Sequence, residues 1–299
     1  MTDDRRRSIH STVYCLSSTV CETMIDFLVI GHVVQDVVPD GYTVGGTTTY
    51  SSITARNLGR RPGIVTRLAP DFVWPEVLHD VQVARVPSVH TTTFHNIYHD
   101  GHRQQFLLSV ADAIQPDDVP ALWRATPIVH LGPLARELDS RFANLFPNAL
   151  VGVTPQGWLR EWDASNRVRM RPWKEAPEIL PQIDVLVLSE EDLNGNAALI
   201  DEYARLTRIA VMTQGREGCL VFAQGQARHV PGFPALEIDP TGAGDVFAAA
   251  FLIRLQEIQD PFEAARFANA TASFCVEAPG VTGIPTRAQV ETRLLQYQR

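Results

Sequence analysis

Lysine is almost missing from this sequence: of 26 basic residues among 299, all but Lys174 are arginine. A Walker A loop needs G-x-x-x-x-G-K-[ST], and a protein kinase needs a strand lysine for its phosphates. Lys174 sits in Arg-Pro-Trp-Lys-Glu and fits neither, so two large phosphotransferase classes drop out. Positive charge is also short, with a formal net charge of −8. A chain of that sign repels polyanions, which excludes nucleic acid as an expected partner. Cysteine is sparse: Cys15, Cys21, Cys219 and Cys275 are too scattered for a disulfide framework or a C-x-x-C zinc site. Reduced thiols and a cytoplasmic protein are the expectation. Long apolar runs are absent; stretches such as Phe27-Leu28-Val29-Ile30 are strand-sized, well short of the roughly 18 residues that cross a bilayer. No membrane partner is expected.

The sequence nevertheless has an ordinary globular make-up, with 45% hydrophobic and 20% charged residues, which excludes wholesale disorder. Residues 1–23, rich in Ser and Thr around Arg5-Arg6-Arg7, lack the apolar core of a signal peptide and read as a disordered tail. Met24 directly precedes the first strand and is a candidate alternative start. From there to residue 299 no linker, repeat or low-complexity tract divides the chain. Apolar runs at 27–31, 63–68, 127–132, 149–154, 184–188, 208–213 and 218–222 alternate with helical stretches, giving βαβ units on a mainly parallel sheet with helices on both faces. Helices are expected over 49–60, 243–257 and 261–277. Two segments, 33–44 and 88–108, alternate Thr, Val, Tyr and Phe around Asp-Gly turns and read as antiparallel hairpins forming a small β lid.

Chemistry concentrates in Glu237-Ile-Asp-Pro-Thr-Gly-Ala-Gly-Asp245, which opens directly into an apolar helix. Gly242 and Gly244 let a ligand approach the backbone, and the helix start offers unpaired N–H groups and the positive end of its dipole. The pattern is an anion socket with an acid, Asp245, in its first turn.

Asp239-Pro-Thr-Gly-Ala-Gly-Asp245 resembles the D-x-T-G-A-G-D signature of the ribokinase-like (PfkB) carbohydrate kinases, and Gly45-Gly46 before a helix resembles that family's N-terminal sugar-binding motif. The resemblance implies a three-layer αβα sandwich over 24–299 with a mainly parallel central sheet and a small β lid. It implies Asp245 as general base, with Gly242, Ala243 and Gly244 giving amides to the transferring phosphoryl group. A loose phosphoryl-transfer transition state suits that arrangement, since it needs positioning and charge neutralisation more than covalent help. Asp36 falls where the family binds sugar hydroxyls, and Gly45, Gly46 and Tyr50 complete the acceptor set. Tyr50 replaces the usual asparagine of G-G-x-x-x-N.

On the donor side, Ser189 and Asp192 stand in the place of the family's N-x-x-E motif, which organises Mg²⁺ through water; Glu190 or Glu191 serves if the register slips. Thr213 and Gly215 resemble the turn beside the nucleotide phosphates, and Asn269 lies where the family faces adenine. The implied cofactors are ATP and Mg²⁺. K⁺ is implied at Asp239 with Val276–Gly280, as in many relatives.

Within the family, Ile30-Gly-His-Val-Val-Gln-Asp36, Leu188-Ser-Glu-Glu and Thr213-Gln-Gly-Arg-Glu-Gly-Cys219 resemble the inositol-kinase-like branch. A myo-inositol-like polyol is favoured, with a nucleoside or pentose kinase, or a catalytically weak binding module, as alternatives. Only Arg56 and Arg103 fall near expected pocket segments, which favours an unphosphorylated acceptor. The histidines, including His130, lack metal-ligand spacing and read mostly as polar faces of lid strands. Trp158 and Trp162 read as packing residues. Lid strand edges admit a homodimer.

Overall fold

The computed structural model describes residues 24–99, 102–196 and 198–297, with the side chains at 98, 99, 102 and 103 left out. The expected N-terminal tail and the Arg103 side chain therefore lie outside the described residues. In chain order the first half contains β1 (Phe27–Ile30), β2 (Val34–Val38), β3 (Gly41–Gly45), α1 (Thr47–Asn57), β4 (Pro62–Leu68), β5 (Gln82–Pro87), β6 (Thr93–His99), β7 (His102–Ser109) and β8 (Ile128–Leu131). There follow β9 (Leu150–Val153), β10 (Arg160–Trp162), β11 (Val168–Met170), α2 (Ala176–Ile179), β12 (Val185–Ser189), α3 (Ala198–Leu206) and β13 (Ile209–Thr213). The chain closes with β14 (Gly218–Ala223), β15 (Gln226–Pro231), α4 (Ala243–Ile258), α5 (Pro261–Cys275) and α6 (Arg287–Gln296).

Nine strands form one sheet in the order β15-β14-β13-β12-β9-β8-β1-β4-β5. Strands β12, β9, β8, β1, β4 and β5 run parallel with β13, whereas β14 and β15 are antiparallel. The 218–222 run thus joins the sheet as a hairpin, because only the Gln214–Glu217 turn separates it from β13. Strand side chains alternate between two cores, as the period of two requires. Leu28, Ile30, Val129 and Leu131 face the side holding Trp158 and Trp173. Phe27, Val29, Val185 and Val187 face α4 and α5. Both faces are covered, so these strands read as continuous apolar runs.

Helix α4 is alanine-rich at its centre and buried from Val246 to Ile253, which lets it lie close to the sheet. Helix α1 begins two residues before the expected start, and nine consecutive residues, Thr47–Ala55, are buried. Its threonines survive burial because each hydroxyl has a partner: Thr48 donates to the His32 carbonyl at 3.1 Å and Thr49 to that of Gly45 at 2.7 Å.

A separate four-stranded sheet, order β3-β2-β6-β7, rises from segments 34–45 and 93–109. Its two hairpins are antiparallel and meet through a parallel β2–β6 pairing. The small β10–β11 hairpin, outside the expected elements, docks on the β7 edge: Leu107 N–H donates to the Asn166 carbonyl at 2.9 Å. Among the described residues no helix is long and apolar enough to cross a membrane.

Candidate active site

Ligand sites in open α/β sheets lie beyond the carboxyl ends of the strands. There the start of α1, the start of α4 and the small sheet converge. Asp36, half-buried on β2, accepts from Asn96 Nδ2 at 3.0 Å, and Asn96 Oδ1 accepts from Gln105 Nε2 at 2.9 Å. This chain orients the carboxylate. Gly45 faces it across the hairpin, and a Cβ there would collide with Asp36 Oδ2, so only glycine leaves the carboxylate its place. Gly46 follows as the N-cap of α1.

Asp245 occupies the first turn of α4 and is partly buried. Burial raises its pKa to about 6; a hydrogen bond from the Thr47 side chain and the charge of Arg160 oppose the rise, while Asp192 adds to it. The carboxylate thus lies between α1 and the β10–β11 hairpin, facing the turn after β12. At the helix mouth Ala243 N–H donates to the Pro240 carbonyl at 3.2 Å, so its amide is committed within the turn. The N–H groups of Gly242, Gly244 and Asp245 have no acceptor among the described residues. Of the expected three amides, those of Gly242 and Gly244 are thus free, and so is that of Asp245.

Tyr50 does not line an open acceptor wall. It is 4% exposed, and its ring lies under Gly242, where a Cβ would overlap the ring carbons. Burial pushes its hydroxyl pKa up, and Cys275, Asp239, Asp245 and Asp36 raise it further, so four acidic groups surround this side chain. The tyrosine is a buried floor beneath the site rather than a hydroxyl donor at its surface.

A cavity of about 690 Å³ opens from the α4 mouth along the β13–β14 turn. Thr213, Gly215, Ala243, Gly244, Phe247 and Asn269 are among the residues that line it. Asn269 Nδ2 donates to the carbonyls of Val230 and Pro231 at 3.0 and 3.2 Å, leaving its amide oxygen for a ligand. Ser189 and Asp192 do not line the cavity. Ser189 aligns with Thr213 at the ends of β12 and β13, and Asp192 Oδ2 accepts from both Ser189 N at 2.9 Å and Ser189 Oγ at 2.8 Å.

Asp192 Oδ1 accepts no hydrogen bond among the described residues, and Glu191 is exposed beside it. That donor set fits Mg²⁺, which keeps several waters and needs only one or two protein carboxylates. Glu190 is tied to Gln214 Nε2 at 2.6 Å. The loop expected to hold K⁺ is internally hydrogen-bonded. Asp239 Oδ1 accepts from Thr241 N at 3.0 Å and Oδ2 from Gly280 N at 2.8 Å, while the Val276 carbonyl takes the N–H groups of both Ile238 and Asp239. Burial would raise Asp239, but the hydrogen bonds from Thr241 and Gly280 hold it below the ordinary value. These hydrogen bonds brace the loop.

Several residues at the site carry no local signal. Arg160, 6% exposed, sits in a Trp-rich run and acts on Asp245 from a hairpin remote in sequence. Arg56, by contrast, donates to the Val77 carbonyl at 2.9 Å, away from the site. His130 is not a lid residue; it is fully buried on β8. Trp158 packs against Trp173 with ring centroids 5.3 Å apart and donates Nε1–H to the Leu138 carbonyl.

A glycine-opened helix at the carboxyl edge of this sheet, with a carboxylate in its first turn, can hold a phosphoryl group beside a base, the pairing that a phosphotransferase with an alcohol acceptor needs. The pfkB family of carbohydrate kinases matches residues 166–287. Along the chain, cytidine kinase of Thermococcus kodakarensis is 28% identical over 247 residues, 77% of this chain and 88% of that protein. Inositol 3-kinase of Zea mays is 27% identical over 290 residues, 88% of this chain and 74% of that protein. Among solved structures, a pyrophosphate-dependent kinase of the ribokinase family, complexed with a pyrophosphate analog and myo-inositol, superposes with a TM-score of 0.73 at 23% identity, covering 89% of this chain and 99% of that one. Arabidopsis thaliana ribokinase, complexed with ribose and ATP, gives 0.72 at 21%, covering 91% and 99%. The chain thus resembles the PfkB family of carbohydrate kinases, whose model matches its residues 166–287, and it has the ribokinase-like α/β fold.

Proposed function

We propose that this enzyme transfers the γ-phosphoryl group of ATP to a hydroxyl of a small cyclic polyol, with a myo-inositol-like acceptor favoured. The observation that carries the reading is the placement of Asp245: its helix mouth, with its free amides, borders the 690 Å³ cavity at Gly244, while its carboxylate meets α1 just after Gly45-Gly46. Asp36, held by Asn96, accepts hydrogen bonds from acceptor hydroxyls. Asp245 takes the proton of the attacking hydroxyl as the new O–P bond forms, and the bond to the leaving ADP oxygen breaks in line. The amides of Gly242, Gly244 and Asp245 hold the charge of the migrating phosphoryl group, and Arg160 adds a buried cation beside them. Asp192, with Glu191, would hold Mg²⁺ through its waters, and the ion would supply charge neutralisation of the phosphates. Thr213, Gly215 and Asn269 line the nucleotide's cavity, and the four-stranded sheet serves as the lid.

The similarity to inositol 3-kinase across 88% of this chain supports the polyol. A nucleoside acceptor is the second reading, favoured by the similarity to cytidine kinase. A coupled ADP-release screen across inositols, pentoses, hexoses and nucleosides, with pyrophosphate as an alternative donor, tests both. Turnover highest with an inositol supports the proposal; turnover highest with a nucleoside replaces the acceptor. Absence of turnover with every pair overturns the reading.

A further inference from the structure

Thr47 and Ser51 stand four residues apart on α1 and so share one face of it. Both are fully or almost fully buried, and both reach the same residue on another helix. The Thr47 side chain hydrogen-bonds the Asp245 carboxylate, and Ser51 Oγ donates to the Asp245 main-chain oxygen at 3.3 Å. The next residue on this stripe, Ala55, packs in the same core as Phe247 and Phe251 of α4. A base held at both its side chain and its backbone by one helix has lost the freedom to swing or to slide.

A third group sets the direction of these contacts. His130, buried in β8, places Nδ1 3.0 Å from Ser51 Oγ and Nε2 3.1 Å from Thr154 Oγ1. Burial lowers its pKa to about 3, so the ring is neutral and has one donor and one acceptor. Ser51 has a single hydroxyl proton, which goes to the Asp245 carbonyl, so Ser51 must accept from the ring. Nδ1 then carries the ring proton and Nε2 accepts from Thr154. The four groups form one chain in which each hydrogen has one acceptor: Thr154 to His130, His130 to Ser51, Ser51 to Asp245. The opposite assignment, with Ser51 donating to Nδ1 and Nε2–H donating to Thr154, leaves the 3.3 Å contact between Ser51 Oγ and the Asp245 carbonyl without a proton.

We infer that Thr47 and Ser51 are positioning residues that clamp Asp245 to the acceptor-binding end of α1, and that His130, as its Nδ1–H tautomer, keeps the Ser51 hydroxyl aimed at the α4 backbone. The inference rests on the reading of Asp245 as the base. Because Gly45-Gly46 leads directly into Thr47, the clamp makes the acceptor loop and the base one rigid body, and the distance between hydroxyl and carboxylate is set before substrate arrives. The charged and titratable groups facing Asp245 are Arg160 from the β10–β11 hairpin, Asp192 from the turn after β12, Tyr50 from α1 and Cys275 from α5.

The full-length protein tests this with Thr47→Val, Thr47→Ser, Ser51→Ala and His130→Asn. Thr47→Val keeps the shape and removes the hydrogen bond. Its kcat should fall about 10- to 100-fold with the acceptor KM nearly unchanged, and the acid limb of its pH profile should move upward; Thr47→Ser should restore both. Ser51→Ala should lower kcat in the same way. His130→Asn, which keeps a donor near the Nδ1 position, should retain more activity than Ser51→Ala. Two readouts do not need turnover: ¹⁵N NMR of His130 should report Nδ1–H in the wild type, and the ¹³C titration of the Asp245 carboxyl should shift upward in Thr47→Val. Inactivity of the wild type with all acceptors would remove the base assignment yet leave these NMR results standing. An Nε2–H ring, or a Thr47→Val variant that titrates and turns over as the wild type does, overturns the clamp.

Discussion

Gly242 lies directly on the ring of Tyr50. The glycine has a φ of 76°, in the left-handed region, and a Cβ there would overlap the Tyr50 Cδ1 and Cε1 atoms. Two constraints therefore act on one residue, one from backbone conformation and one from packing. The free amides at the α4 mouth point as they do because the turn rests on a flat, buried surface.

Gly242→Ala should consequently disturb the anion socket more than the fold. Its turnover should fall at least tenfold while circular dichroism keeps the native helix content, since the sheet and the rest of α4 are untouched. Tyr50→Ala instead empties a core site and should destabilise the protein by about 3 kcal/mol, as large buried rings do when truncated. Urea unfolding of the two variants checks the distinction: a Gly242→Ala protein as active as wild type would show that the ring leaves room after all.

Asp245→Asn should separate activity from stability. A positioned base contributes ~10²–10⁴-fold, and turnover should fall by that amount. The sign for stability is opposite. The folded value of about 6 lies above the ordinary carboxylate value of ~3.9, so the fold holds this proton more tightly than the unfolded chain does. Stability from this group is therefore full below about pH 4, declines as pH rises to about 6 and is constant above. The asparagine variant lacks that decline and should melt at a higher temperature than wild type at pH 8, converging on it near pH 4. Wild-type kcat/KM should rise with pH through about 6. Thermal melts and pH–rate profiles of both proteins check these signs.

The legible parts of the site were those written in consecutive residues. Asp239–Asp245 and Gly45-Gly46 each place a turn and a helix start within a few positions, and local chemistry fixes such features. The central strands were legible because burial on both faces makes them uniformly apolar. Contacts across the sheet left no such trace. Ser51 and Asp245 are 194 positions apart, and His130 meets Ser51 and Thr154 only because β8 and β9 are neighbours under α1. Arg160 was hidden among tryptophans that fill a core. Tyr50 misled for another reason: its place in the G-G-x-x-x-N pattern pointed to the acceptor, yet an aromatic ring of that size is buried more favourably under Gly242 than left at a polar opening.

Asp36 and its partner Asn96 give a prediction confined to the acceptor. Asp36→Asn keeps the size and removes the charge that accepts two hydroxyls, a loss of about 1.5–3 kcal/mol for charge-assisted hydrogen bonds. The acceptor KM should rise roughly 10- to 100-fold with the ATP KM unchanged. Initial-rate kinetics with both substrates varied would show whether the two constants move apart. An equal rise in both would place Asp36 in the scaffold instead of the acceptor site.

Asn269 makes the converse prediction, confined to the donor side. Its Nδ2 holds two carbonyls at the end of β15, so Asn269→Leu leaves buried acceptors without a donor, at a cost of about 1–3 kcal/mol. The same change takes from the cavity an amide oxygen suited to the exocyclic amine of a purine. ATP affinity should therefore fall further than Tm alone explains, while acceptor KM stays near wild type. Titration calorimetry with an unreactive ATP analogue, read against a melt of the same variant, separates the two effects. A variant that loses stability yet binds the analogue normally would limit Asn269 to bracing the β14–β15 hairpin.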